Sequence, residues 1–219
     1  MSKRLIAVRL LLITCALGLW FATQHWLGAR PPMAGSASIG DGVHTLTAPI
    51  HAWLVNHPSA ADGLLIASSL CIDLLALTLL GLSLFGKSMR PFIGMLIIFL
   101  LRQICQVTCA LPPPEGMIWR SPGFPSLLVT YGVASDFFFS GHTAMAVWGC
   151  MELARLGRKW LWLAVAVAVF EITVVLVLRA HWTMDVFTGL VVALWVGSWA
   201  GKVAGWVDGK LARVASTRG

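Results

Sequence analysis

The run Leu64–Phe85, LLIASSLCIDLLALTLLGLSLF, places twenty-two residues in a row with Asp73 as their only formal charge. About 20 consecutive apolar residues cross the hydrocarbon core of a bilayer as a helix. No proline interrupts the run, so nothing in it breaks the backbone ladder. Five further runs have the same character: Leu5–Trp26, Phe92–Leu111, Phe138–Leu156, Trp160–Leu178 and Met184–Val207. The 219-residue chain is 58% hydrophobic and only 11% charged. A soluble domain of this size could not hide that much apolar surface. The expected architecture is an all-α polytopic membrane protein, one domain over residues 1–219, with six transmembrane helices.

Loop charge orients the bundle. Lys3, Arg4 and Arg9 open the first span, and Lys87 and Arg90 join the second and third. Arg155, Arg158 and Lys159 join the fourth and fifth, and Lys210, Arg213 and Arg218 follow the sixth. The opposite loops hold Arg30, Arg120 and Arg179. Basic loops face the cytoplasm, which places both termini there. The net charge of +7 therefore points to anionic lipid rather than nucleic acid. Trp20, Trp26 and Trp182 fall near outer ends and Trp160, Trp162 and Trp206 near inner ends, as in an interfacial belt. The first span reads as a retained helix rather than a cleaved leader, because it is long and carries Trp20, Phe21 and Trp26. Short loops and small size point to a bacterial inner membrane, with the opposite face toward the periplasm.

Two outer loops are substantial. In residues 27–63, Pro31-Pro32 and Gly/Ser-rich chain precede Val43, Leu46, Ile50, Trp53 and Leu54 at helical spacing, which predicts an amphipathic interfacial helix that either kinks at Pro49 or begins there. Residues 112–137 open with Pro112-Pro113-Pro114, and a loop of that length is expected to cover a site. The five cysteines all lie in expected spans and read as small hydrophobes.

The chemistry lies at the outer boundary. His181 and Asp185, four apart at the start of the sixth span, share a helix face. The carboxylate can hold one imidazole nitrogen and leave the other as nucleophile or base, although a plain helix anchor would use the same pair. His142 follows Ser140-Gly141 where the fourth span begins. Ser140 can cap that helix and Gly141 allows close backbone approach. Free N–H groups at such a helix start suit a phosphate, and His142 there can protonate a leaving alkoxide. Arg179 sits two residues from His181. Arg102 lies about 13 Å deep in the third span, counting from Leu111, at a level similar to Asp73 and Glu171. Such charges form a buried ion-pair network or line a head-group cavity.

Asp136 with Ser140-Gly141-His142-Thr143, and His181-Trp182-Thr183-Met184-Asp185-Val186, resemble two signature motifs of the type 2 phosphatidic acid phosphatase superfamily. Its sphingomyelin synthase-like branch is the nearer resemblance. Ala134 and Ser135 stand where that branch has Cys and Gly, and Trp182 where it has Tyr. Arg102 followed by Leu111-Pro112-Pro113-Pro114 is similar to a further stretch of the branch. The resemblance implies that His181 attacks phosphorus to form a phosphohistidine, that Asp185 orients it, and that His142 handles the proton. It also implies substrate contacts from Asp136, Ser140 and Gly141. The arginine that the phosphatase branch carries is replaced by Val175, which leaves Arg102 and Arg179 to neutralise phosphate. The family needs no metal or other cofactor, and no acidic cluster here would hold a metal.

The expected activity is transfer of a phosphorylated head group from a phospholipid donor to a lipid hydroxyl. The nearest alternative is a lipid phosphatase with water as acceptor. A membrane transporter or lipid-binding protein would account for Asp73, Arg102 and Glu171 but leaves the paired histidine motifs without a role.

Overall fold

A computed structural model describes residues 3–28, 40–109, 111–131 and 137–216. Among these residues helix is the regular secondary structure throughout, joined by loops and with one isolated bridge, Leu111 to Phe137. The helices are α1 Lys3–Gly28, α2 Gly42–Leu46, α3 Ala48–Asn56, α4 Pro58–Phe85, α5 Arg90–Thr108, α6 Gly141–Ala154, α7 Arg158–Val177 and α8 Thr183–Ser216. Among the described residues α1, α4, α5, α7 and α8 are long and apolar enough to cross a membrane.

The expected fourth span, Phe138–Leu156, contracts to the 14 residues of α6. The Ser140 hydroxyl accepts from the Thr143 amide and starts the helix there. Before it, Phe138 has φ of 144°, which no helix admits. At the other end Arg155 closes the last turn, and Gly157 adopts φ of 130°. At ~1.5 Å per residue α6 reaches only about 21 Å. A helix this short and apolar belongs in a core, and α6 packs against α4, α5, α7 and α8. Its Trp148 is fully buried and donates to the Pro91 carbonyl at 2.9 Å.

One end of the bundle is locked by polar contacts. Arg9 donates to the Ser83 and Gly86 carbonyls, at 3.1 and 2.9 Å, and faces Asp208. Asp208 in turn accepts from the Ser88 hydroxyl at 2.6 Å and the Met89 amide at 3.0 Å, capping α5. Arg90 pairs with buried Glu152 of α6. The motif Arg90-Pro91 therefore serves packing far from the histidines.

At the opposite end the expected amphipathic stretch Val43–Leu54 forms two helices, the second beginning at Ala48-Pro49, close to the alternative of a start at Pro49. Thr47 ends α2, and Pro49 sits in the first turn of α3, where it needs no amide partner. The polar face turns inward. His44 and His51 are buried, whereas Leu46, Ile50 and Trp53 are exposed. Half-buried Asp73 and buried Glu171, for which an ion-pair network with Arg102 was one expectation, have other partners. Asp73 accepts from Ser126 Oγ and from the Leu127 and Leu128 amides, pinning the second outer loop. Glu171 accepts from Ser68 Oγ at 2.7 Å. Trp20 and Trp182, expected in an interfacial belt, are buried, while Trp26, Trp162 and Trp206 are exposed.

Candidate active site

α8 begins at Thr183, so His181 precedes the helix and does not share a helical face with Asp185. Their contact comes from capping. Asp185 lies in the first turn, and its Oδ2 accepts from the backbone N–H of Trp182 at 3.1 Å. The same oxygen meets His181 Nδ1 at 3.1 Å. A carboxylate returning to the amide ahead of its own helix is one half of a capping box, and its charge suits the positive end of the helix. With Nδ1–H donating to Asp185, the Nε2 lone pair of His181 is free for chemistry.

The starts of α6 and α8 are tied together. The Ser140 amide donates to the Asp185 carbonyl at 3.0 Å. Gly189 makes the approach possible, since a Cβ there would lie 2.6 Å from the Ser140 carbonyl oxygen. This contact brings His142 and His181 to the wall of one cavity of about 60 Å³. Gln24, Arg102 and Gly141 also line it, among apolar side chains that include Trp20, Ile72, Phe99 and Met145. Trp119 meets the His142 ring edge-on at 5.2 Å, and Phe137 meets the His181 ring at 5.8 Å. His142 Nε2 is buried and has no hydrogen-bond partner among the described residues.

Other expected site residues stand elsewhere. The Ser140 hydroxyl is buried and is taken up as acceptor for Thr143 N and Oγ1, at 3.3 and 3.0 Å, so it acts as a cap. Arg179 has φ of 52°, which turns its side chain to the Glu115 carbonyl at 2.9 Å. It lines a separate surface cavity with Asp41, His44 and Trp182. Arg102 does line the histidine cavity, and its Nη1 donates to Gln24 Oε1 at 2.5 Å. Asp136 lies outside the described residues.

The second outer loop closes the mouth. Trp119, Leu128, Val129 and Thr130 form part of the cavity wall. The loop is held by Asp73, by Trp119 Nε1 donating to the Thr130 carbonyl, and by the Arg120–Asp62 pair at 2.6 Å. The α7–α8 turn is stapled from outside. His44 Nε2 bonds the His181 carbonyl at 3.0 Å, and His51 Nδ1 the Val177 carbonyl at 2.9 Å. Asp41 caps α2 through Val43 and His44, and its carboxylate also receives Thr183 N at 2.7 Å and Oγ1 at 2.6 Å. Burial pushes the Asp41 pKa up, but the Thr183 and His44 hydrogen bonds outweigh it and hold the group below the usual carboxylate range. Sequence reasoning missed Asp41, Gln24 and the inward histidines. The cap pattern at Asp41 was legible, but its second grip, on Thr183, joins residues far apart in the chain.

No curated protein and no solved structure matches the chain. A family model, AtPDCT1/2, matches residues 41–202, from Asp41 through most of α8. It takes in His142, His181, Asp185 and Arg102 and leaves α1 outside. This match overturns the assignment to the type 2 phosphatidic acid phosphatase superfamily and its sphingomyelin synthase-like branch. That resemblance rested on two short motifs, a weaker stretch from Arg102 to Leu111-Pro112-Pro113-Pro114 and the six-span layout, whereas the family model matches residues 41–202 as a whole. The chain belongs to the AtPDCT1/2 family.

Proposed function

We propose that this protein is a membrane phosphotransferase that carries a phosphorylated head group from a phospholipid to a lipid hydroxyl through a phosphohistidine at His181. Family membership supports head-group transfer, because AtPDCT denotes phosphatidylcholine:diacylglycerol cholinephosphotransferases. Phosphocholine is then the group moved and diacylglycerol the acceptor. The observation that carries the mechanism is the His181 Nδ1–Asp185 Oδ2 hydrogen bond at the wall of a cavity shared with His142. His181 Nε2 attacks phosphorus, and the bond from phosphorus to the diacylglycerol oxygen breaks. His142 gives that oxygen its proton. In the second half His142 takes the proton of the incoming hydroxyl, whose oxygen attacks phosphorus, and the phosphorus–nitrogen bond breaks. Arg102 faces the charge carried by the phosphoryl oxygens. Apolar walls exclude water, which favours a lipid hydroxyl over hydrolysis.

In this reading α6 and its flanking residues complete a sixth crossing, both termini are cytoplasmic, and the histidines open to the opposite side. The described parts of the two outer loops, residues 40–57 and 112–131, then form one cover over a single domain. The family is plant-derived and lends no support to a bacterial inner membrane. The test uses purified protein in nanodiscs with phosphatidylcholine radiolabelled at phosphorus. A brief quench is expected to trap an acid-labile phosphoenzyme in the wild type and none in His181→Ala, with turnover abolished. Substantial transfer by a folded His181→Ala protein overturns the assignment.

A further inference from the structure

The second outer loop runs down the side of α4 rather than across its end. Arg120 donates to the Pro58 carbonyl at 3.3 Å and to Asp62 Oδ1 at 2.6 Å, where that helix begins. Farther along, the Leu127 and Leu128 amides donate to Asp73 at 2.7 and 2.9 Å. Tyr131 then turns back, its hydroxyl 2.6 Å from Ser69 Oγ. At ~1.5 Å per residue, Asp73 lies about 16 Å along α4 from Asp62 and about 22 Å from Pro58. Since α4 has 28 residues, Asp73 sits near the middle of the span. The loop therefore descends beside a membrane-crossing helix and returns toward the end it came from.

Backbone at membrane depth has no water to bond, so irregular chain is tolerated there only where protein satisfies it. Asp73 meets that need, because its one carboxylate takes two amides and the Ser126 hydroxyl. Ser126 Oγ in turn takes the Val129 amide at 3.0 Å. The wall so formed is thin. Leu128 and Val129 line the histidine cavity, while nearby Phe124 and Leu127 are 42% and 50% exposed. A single pass of chain thus separates that cavity from the outer surface. On α4 the flanking Leu70, Leu74 and Leu77 are exposed as well, which makes the surface around the loop apolar. A few side-chain hydrogen bonds hold this wall in place of a helical ladder, so it opens at lower cost than the helices beside it.

We propose that Arg120–Tyr131 is a re-entrant segment reaching toward the middle of the bilayer, and that it is the lateral gate through which lipid passes between the hydrocarbon and the histidine cavity. Asp73 is its latch. Phe124 and Leu127 meet acyl chains, and the wall opens when the Leu127 and Leu128 amides leave the carboxylate. Immersion follows from the membrane-crossing helices alone. Gating rests on the phosphotransfer reading above, since a lipid substrate is what needs a lateral path.

Immersion is measured with single nitroxides on full-length protein in phosphatidylcholine nanodiscs, in a background without native cysteines. At Leu127→Cys and Phe124→Cys, collision with oxygen should exceed collision with a water-soluble nickel chelate, as at Leu74→Cys on α4. The order should reverse at Ser121→Cys. Chelate access at Leu127 equal to that at Ser121 overturns the re-entrant segment. Gating is measured by locking the loop. Asp73→Cys with Ser126→Cys, replacing side chains that meet at 3.2 Å, are bridged by a short reducible bis-thiosulfonate. Bridging should lower phosphocholine transfer at least about tenfold, and reductant should restore it. Ser69→Cys with Tyr131→Cys, bridged by a longer reagent, repeats the lock with Asp73 intact. Unchanged transfer in fully bridged protein overturns the gate. Turnover that survives His181→Ala but stops on bridging would sink the phosphohistidine mechanism and spare the gate. No transfer by unbridged wild type would sink the phosphotransfer reading and the gate with it, leaving the nitroxides to decide the re-entrant segment.

Discussion

Asp185 performs two tasks with one oxygen, and a substitution separates them. Its Oδ2 both caps α8 at Trp182 N and holds His181 Nδ1. Asn keeps an acceptor for the amide but cannot hold the imidazole as a carboxylate does. Asp185→Asn should therefore fold with nearly native stability and lose about 10²–10⁴ in rate, comparable to orienting carboxylates elsewhere. Thermal unfolding and phosphoenzyme yield measured on the same preparation check this. A rate close to wild type would reduce Asp185 to a cap. Arg102 and Arg179 looked equivalent as phosphate partners, one at each side of the motif. Arg102 lines the histidine cavity, whereas Arg179, at a positive φ, donates to the Glu115 carbonyl.

The elements around the site act through their ends. α2 is short and holds to the α7–α8 turn through Asp41 and His44. The Asp41 pKa is held low in the folded protein, so its contribution is present above the ordinary carboxylate range. It is lost as pH falls through the folded value, below about pH 4. Protease cleavage ahead of α2, followed from pH 6 to pH 3, should rise more steeply in the wild type than in Asp41→Asn. The Asn variant should be the more readily cleaved at pH 6. The α6–α8 contact is tighter. At Gly189 an added Cβ meets the Ser140 carbonyl at 2.6 Å and the Ala144 amide at 3.3 Å. Gly189→Ala should cost about 1–3 kcal/mol by overpacking and lower activity with it, because it pushes His181 away from His142. Gly205→Ala, in the same helix with nothing near its Cβ, should be neutral or stabilising by up to about 1 kcal/mol. Comparing the two melting temperatures isolates the contact from helix propensity.

Across the whole molecule, polar locks occupy one end and the histidine cavity the other. Arg9, Asp208, Arg90 and Glu152 hold the end where the basic loops gather. Asp41, His44, His51 and the second outer loop close the opposite end. The proposed orientation predicts different access for two exposed positions in a background without native cysteines. Ser121→Cys should react with a membrane-impermeant thiol reagent in intact cells or right-side-out vesicles. Lys87→Cys should react only after the membrane is opened. The reverse pattern would place the chemistry on the cytoplasmic side and change the lipid pool it can reach.

The helical character and the apolar length of α1, α4, α5, α7 and α8 were determined by sequence alone, because apolar length acts locally and needs no tertiary partner. The start of α6 at Ser140 and Gly141 was legible for the same reason, whereas the closeness of His181 to Asp185, expected from a shared helix face, comes instead from the carboxylate capping α8. Only the tertiary structure decided that α6 is a short buried helix, since Phe138 departs from helical φ and Ser140 resets the start. It also turned His44 and His51 inward, because the α7–α8 turn offers carbonyls that no local pattern reveals. The contact of Arg102 with Gln24 likewise required packing, because it joins α1 and α5 across some eighty residues of chain.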